Sequence, residues 1–168
     1  VHPRPDERHI RYNDVIELKK VITTEFNIEG YPDDRYMELV QKTKPAQATL
    51  VPDGPHVLTS NAGWDTVSHY SFLQEIVTEL KNQGVRASIF VDPDPKMVEM
   101  AAKMGADRVE LLVCQRLVSP HLGDTPKDDA LLVDAEAVRC FDQRVRFVDQ
   151  RCIQNSSNKG HFLLNLYF

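Results

Sequence analysis

Arg86-Ala-Ser-Ile-Phe-Val91, then Asp92-Pro-Asp-Pro-Lys96 and an apolar-spaced run to Gly105, then Asp107-Arg-Val-Glu-Leu-Leu112, is the stretch on which the fold turns. Its first and last pieces are short, rich in branched residues and bounded by turn residues, which is the signature of strands. Between them Met97, Val98, Ala101 and Met104 recur at helical spacing. Pro95 suits the first turn of that helix, and Gly105 suits the left-handed residue that ends one. The same alternation runs upstream. Glu25-Phe-Asn-Ile-Glu29 and Ala46-Gln-Ala-Thr-Leu-Val51 read as strands. One helix follows Pro32-Asp33-Asp34 with Tyr36, Leu39 and Val40 on a stripe, and another carries Phe72, Leu73, Ile76, Val77 and Leu80 before Gly84. A further helix begins near Asn13-Asp14, whose side chains can cap it, and turns Val15, Leu18 and Ile22 to a core. Repeated βαβ units predict a parallel sheet, either doubly wound or closed into a barrel.

Composition narrows the class. At 168 residues, 42% hydrophobic and 27% charged, the chain suits one globular domain. No run approaches the roughly 18 to 20 apolar residues of a membrane span. A net charge of −5 gives no basic face for nucleic acid, although a local anion pocket stays compatible with it. The three cysteines lack metal-type spacing and predict reduced thiols in a cytoplasmic protein. Neither a Gly-x-Gly-x-x-Gly nor a Walker-type phosphate loop occurs, which removes the usual nucleotide readings.

Polar residues mark the carboxyl ends of the strands: His2 and Arg4 after the first, Glu29 ending the second, Asp53 after the third, Asp92 ending the fourth and Glu110 within the last. In a (β/α)₈ barrel that rim builds the active site. His2-Pro-Arg-Pro-Asp-Glu-Arg-His9 is either a solvated connector or, through Arg4 and the two imidazoles, a phosphate grip. Glu29, among apolar neighbours, is either paired with a cation or kept near neutral by burial, and the second state makes a general acid or base. Glu110 alternates with Val109 and Leu111, so it faces away from them and, in a barrel, inward. Asp53 to His69 is long for a connection, and Thr59-Ser-Asn-Ala-Gly-Trp-Asp65 suits either a lid over a site or a local anchor through Trp64. Asp92 reads as a cap or turn residue, and His56 and His69 as surface residues.

The order Val1-His-Pro-Arg-Pro-Asp-Glu-Arg-His-Ile10, Phe26-Asn-Ile-Glu-Gly30, Leu50-Val-Pro52, Thr59-Ser-Asn-Ala-Gly-Trp-Asp65, Ser88-Ile-Phe-Val-Asp92 and Asp107-Arg-Val-Glu-Leu111 resembles the pyridoxine 5′-phosphate synthase family of vitamin B6 biosynthesis. The resemblance covers roughly residues 1–112. It implies a (β/α)₈ barrel assembled as a homo-octamer, and a transferase that condenses 1-deoxy-D-xylulose 5-phosphate with 3-amino-2-oxopropyl phosphate. Pyridoxine 5′-phosphate, phosphate and water are its products, and no metal or organic cofactor takes part. At the matching positions, His2 and Glu29 correspond to the family's two proton acceptors. Arg4, His9 and Thr59 correspond to contacts with the deoxyxylulose phosphate, and Glu110 to a carboxylate that stabilises a transition state.

The chain departs from the family at both ends. The family's first strand and its last two lie outside the resemblance. The only echo of the latter is Asn158-Lys-Gly-His-Phe-Leu-Leu-Asn165, to which no role is carried over. Residues 1–112 hold the whole net charge, whereas 113–168 balance and contain Cys114, Cys140 and Cys152. The expectation is therefore an α/β fold, a partial (β/α)₈ TIM barrel of about strands 2–6 of eight. Residues 1–112 form it, followed by a divergent or frame-shifted tail over 113–168. An opening on Val1 fits a fragment or a processed start. Two further readings stay open: a truncated barrel that binds one phosphorylated ligand without catalysis, and a metal-dependent barrel enzyme using His2, His9 and Glu29.

Overall fold

The computed structural model describes residues 1–53, 62–114, 146–147 and 161–167. Four parallel strands alternate with helices: α1 (Tyr12–Val21), β1 (Asn27–Gly30), α2 (Asp34–Thr43), β2 (Gln47–Leu50), α3 (Tyr70–Asn82), β3 (Arg86–Val91), α4 (Pro95–Lys103) and β4 (Arg108–Cys114). Two more strands follow, β5 (Arg146–Phe147) and β6 (His161–Tyr167), and the sheet order is β1-β2-β3-β4-β6-β5. The parallel part is a partial barrel of the expected kind. Beyond it, β6 pairs antiparallel with β4 along Arg108–Cys114. Sequence reading assigned no element to the tail, whose apolar run from His161 forms this strand.

Local chemistry sets the boundaries. The Asp33 carboxylate accepts from the Tyr36 N–H at 2.8 Å and opens α2, while Lys44 closes it in the left-handed region. Asp94 caps α4 ahead of Pro95, and Gly105 ends that unit at φ +89°. α1 starts earlier than the Asn13-Asp14 pair predicts. Asp14 lies in its first turn and reaches back to the Arg11 N–H at 2.9 Å, as the distal half of a capping box does. Asp92 caps no helix; it accepts from the Gly63 N–H at 3.0 Å and ties the chain before α3 to the end of β3.

Side chains alternate across the sheet, and the two faces have opposite characters. Ile28, Ala48, Leu50, Ala87, Ile89, Val91, Val109 and Leu111 pack with Leu39, Val40, Leu73, Val77, Leu80 and Val98 of the helices in one continuous core. Each large side chain fully buried there contributes roughly 1.5–3 kcal/mol. The opposite, inner face carries Asn27, Gln47, Thr49, Arg86, Ser88 and Glu110, joined to one another by hydrogen bonds. A buried polar face is costly unless its groups satisfy one another, as these do. The registers Asn27↔Gln47↔Arg86 and Glu29↔Thr49↔Ser88 place these residues side by side across β1, β2 and β3.

Candidate active site

Two inward carboxyls dominate the inner face. Glu110 is 4% exposed, and its Oε1 accepts from Thr49 Oγ1 at 2.8 Å, Gln47 Nε2 at 3.3 Å and Ser88 Oγ at 3.5 Å. Burial, then the nearby Glu29 carboxylate, raises Glu110 from its ordinary 4.5 to about 7, against the hydrogen bonds and Arg108. Burial likewise raises Glu29 above the usual carboxylate range, opposed by the Val1 amino group. Of the two readings open to Glu29 from sequence, burial rather than pairing with a side-chain cation fits this environment. Two buried carboxyls close together cannot both ionise cheaply, so the pair holds a proton near neutral pH.

Tyr36 anchors the same region from α2. Its hydroxyl donates to the Ile28 carbonyl at 3.0 Å and lies 3.3 Å from that of Thr49, bridging β1 and β2. Its phenol is held un-ionised well above its ordinary range by burial and by the two carboxylates. Gly30 makes room for it: a Cβ there would stand 2.3 Å from the ring.

A second group lies beside the carboxyl end of β1. The Val1 amino group donates to the Asn27 carbonyl and its own carbonyl accepts from the Glu29 N–H, both at 2.8 Å, so the first residue runs alongside β1. His2 follows directly. Burial first and the Arg4 guanidinium second lower its imidazole from 6.5 to about 4, with Asp53 pulling the other way. Arg4 Nη1 lies 3.9 Å from Oδ2 of Asp53, which is 5% exposed and follows β2. His2 is therefore a neutral imidazole beside a guanidinium held by a buried carboxylate.

Of the residues singled out from sequence, the structure brings Glu29 close to Glu110 and His2 close to Arg4. His9 is exposed in the connection before α1, and no hydrogen bond among the described residues ties it to the others. Thr59 and His56 lie outside the described residues. Trp64 is an anchor within the described part of its segment: it is 4% exposed, stacked on Tyr31 at 5.7 Å and edge-on to His69 at 5.3 Å. Gln47, Thr49 and Ser88 are not among the site residues expected from sequence, and Tyr36 enters there only as part of a core stripe. The signal for the first three was the alternation used for Glu110, since Ala48 separates Gln47 from Thr49 and Ala87 and Ile89 flank Ser88. Among the described residues, no three His, Cys, Asp or Glu side chains are grouped to hold a metal ion. No described helix is long and apolar enough to cross a membrane.

Inward carboxyls held near neutrality, with a neutral imidazole and a paired arginine, are the equipment of proton transfer at an anionic substrate. Comparison with known proteins agrees in kind. The family described as "Pyridoxal phosphate biosynthesis protein PdxJ" matches residues 1–120. The chain belongs to this family. A relative from Cytophaga hutchinsonii, named pyridoxine 5′-phosphate synthase, is 62% identical over 111 residues, covering 66% of this chain and 47% of its own length. One of the same name from Bacteroides fragilis is 53% identical over 133 residues, covering 79% of the chain and 54% of the relative. A third, from Christiangramia forsetii, is 60% identical over 111 residues. The chain thus spans about half the length of the curated relatives it matches.

Proposed function

We propose that the chain carries the deoxyxylulose-phosphate half of a pyridoxine 5′-phosphate synthase site and, in the complete protein, takes part in condensing 1-deoxy-D-xylulose 5-phosphate with 3-amino-2-oxopropyl phosphate. The observation that carries the reading is the juxtaposition of Glu29 and Glu110 on the inner face of a PdxJ-family sheet, both held above the ordinary carboxylate range. Joining an amine to a ketone, expelling phosphate and water and reaching an aromatic ring requires repeated proton transfers at one bound intermediate. Groups titrating near neutrality do this best, each contributing about 10²–10⁴ in rate.

The roles follow from chemistry. His2, neutral and next to Arg4, accepts a proton once the substrate phosphate lies nearby and raises its basicity. Glu29 is the second acceptor. Glu110, protonated near pH 7, donates a hydrogen bond to negative charge that develops in the transition state. Arg4 grips the phosphate of the sugar substrate, its guanidinium aligned by Asp53. His9 and Thr59 complete that contact. The reaction needs no metal or organic cofactor, and the protein works in the cytoplasm as a homo-octamer. Residues 1–112 are the synthase region, and 113–168 are a divergent or frame-shifted tail.

The test combines calorimetric titration of the chain with each substrate and a condensation assay that follows phosphate release. Micromolar to millimolar binding of 1-deoxy-D-xylulose 5-phosphate, insensitive to chelators, is expected. Binding without turnover places the chain as a phosphosugar-binding half-site. Absence of binding overturns the proposal, and activity that chelators abolish and zinc restores replaces it with a metal-dependent enzyme.

A further inference from the structure

All three hydrogen bonds to Glu110 among the described residues end on one oxygen, Oε1. Behind the donors stands a fixed charge. Gln47 Oε1 accepts from Arg86 Nε at 3.2 Å, and Arg86 is ion-paired with Glu25. A guanidinium only donates, so Arg86 decides how the Gln47 amide lies: carbonyl toward Arg86, NH₂ toward Thr49 at 3.2 Å and Glu110 at 3.3 Å. The Thr49 hydroxyl has one proton and two oxygens in range, Glu110 Oε1 at 2.8 Å and Asn27 Oδ1 at 3.0 Å. A half-turn of the Asn27 amide, which exchanges its oxygen and nitrogen, makes Asn27 the donor and releases the Thr49 proton to Glu110. Every group in the chain Glu25–Arg86–Gln47–Thr49–Glu110 then has a compatible partner.

We infer that Gln47 and Thr49 are positioning residues for Glu110: the relay from Arg86 fills Oε1 with donors and thereby fixes the carboxyl proton on Oε2. An unrestrained carboxyl presents its carbonyl or its hydroxyl to a substrate by rotation, whereas this one presents the hydroxyl alone. The inference rests on the reading of Glu110 as the carboxyl that acts on the transition state. Among the described residues, the other charged or titratable groups coupled to Glu110 are Glu29 from β1, Arg108 from β4 and Tyr36 from α2.

The test is a ¹³C titration of the full chain labelled at the glutamate carboxyls, with the Glu110 signal assigned by its loss in Glu110→Gln. Thr49→Val removes a donor to the carboxylate and raises the Glu110 midpoint by about one pH unit, while Thr49→Ser, which keeps the hydroxyl, leaves it within about 0.3. Gln47→Met shifts it in the same direction and carries the test if Thr49→Val fails to fold. Equal midpoints in the valine and serine variants, or an unmoved midpoint in Gln47→Met, overturn the inference. The titration uses no substrate. A shifted midpoint in a chain that binds no sugar phosphate therefore supports the relay and refutes the functional reading, and an unshifted midpoint in a chain that binds it does the reverse.

Discussion

Replacing Glu110 with glutamine changes stability in a way that depends on pH, with a sign the structure dictates. Glu110 titrates at about 7 in the fold against an ordinary 4.5, so the folded chain holds its proton more tightly than the unfolded chain. Between those values the unfolded state has lost the proton and the folded state keeps it. Stability therefore falls as pH rises through this window and levels off above it. A gap of about 2.5 pH units corresponds to about 3 kcal/mol, an upper figure because Glu29 shares the effect. His2 acts with the opposite sign. Its pKa is lowered from 6.5 to about 4, so the unfolded state binds the extra proton and stability rises with pH across that range. Over the shared interval the two slopes oppose each other, and a wild-type profile alone hides both. Subtracting wild type from Glu110→Gln cancels His2. The difference is expected to be small near about pH 4.5, where neutral Glu110 already makes the same hydrogen bonds through Oε1. By about pH 8 it should reach about 2–3 kcal/mol in favour of the variant. Trp64, the single tryptophan and 4% exposed, reports urea unfolding by fluorescence. A difference that is constant with pH, or that favours wild type at about pH 8, refutes the buried-proton account.

Three more outcomes follow from the same geometry. Glu29→Gln in a catalytically complete protein lowers turnover by about 10²–10⁴ with little effect on substrate affinity, and unchanged turnover removes Glu29 from proton transfer. Arg4→Ala weakens binding of the sugar phosphate by about 10–100-fold in calorimetry, because a charge-assisted contact is lost; equal affinity takes Arg4 out of the site. Gly30→Ala drives a methyl to 2.3 Å from the Tyr36 ring, which is pinned by hydrogen bonds to β1 and β2, and costs about 1–3 kcal/mol in urea unfolding. An unchanged midpoint there shows that Tyr36 repacks freely.

The parallel core was legible because its signals are local. The strand Arg86–Val91, the Pro95 start and Gly105 end of α4, and the Asp33 cap of α2 each depend on residues within a few positions of one another. Glu110 was legible as an inward residue because alternation survives in a buried strand. Its supporting shell was not, because Gln47, Thr49 and Ser88 lie on two other strands, and which of them meet is decided by register. Ser88 pairs with Thr49 and Arg108, facts that follow from sheet assembly. The start of α1 was misjudged for a related reason: Asp14 is as good at the third helical position as at the cap, and only the backbone distinguishes the two. The tail followed no βαβ rhythm, so its strand β6, antiparallel to β4, had no sequence precursor in the first 112 residues.

A chain with a net charge of −5 is an awkward host for phosphate esters only if its formal charges are its real ones. That count treats Glu29 and Glu110 as ionised, yet burial holds both toward their neutral forms. Asp53, buried at the end of β2, is answered by Arg4, and Glu25 by Arg86 and Arg108. The inner face is therefore far less negative than the sequence suggests. The negative charge that sets the total lies on exposed carboxylates such as Asp6, Glu17 and Glu99, several paired with neighbouring Lys or Arg and screened by solvent. The proton that Glu110 keeps up to about pH 7 fits the pair for acid–base work and also lowers the charge an anionic substrate meets there. Catalytic tuning and substrate electrostatics are one requirement at this site, met by burying two glutamates against a hydrogen-bonded wall.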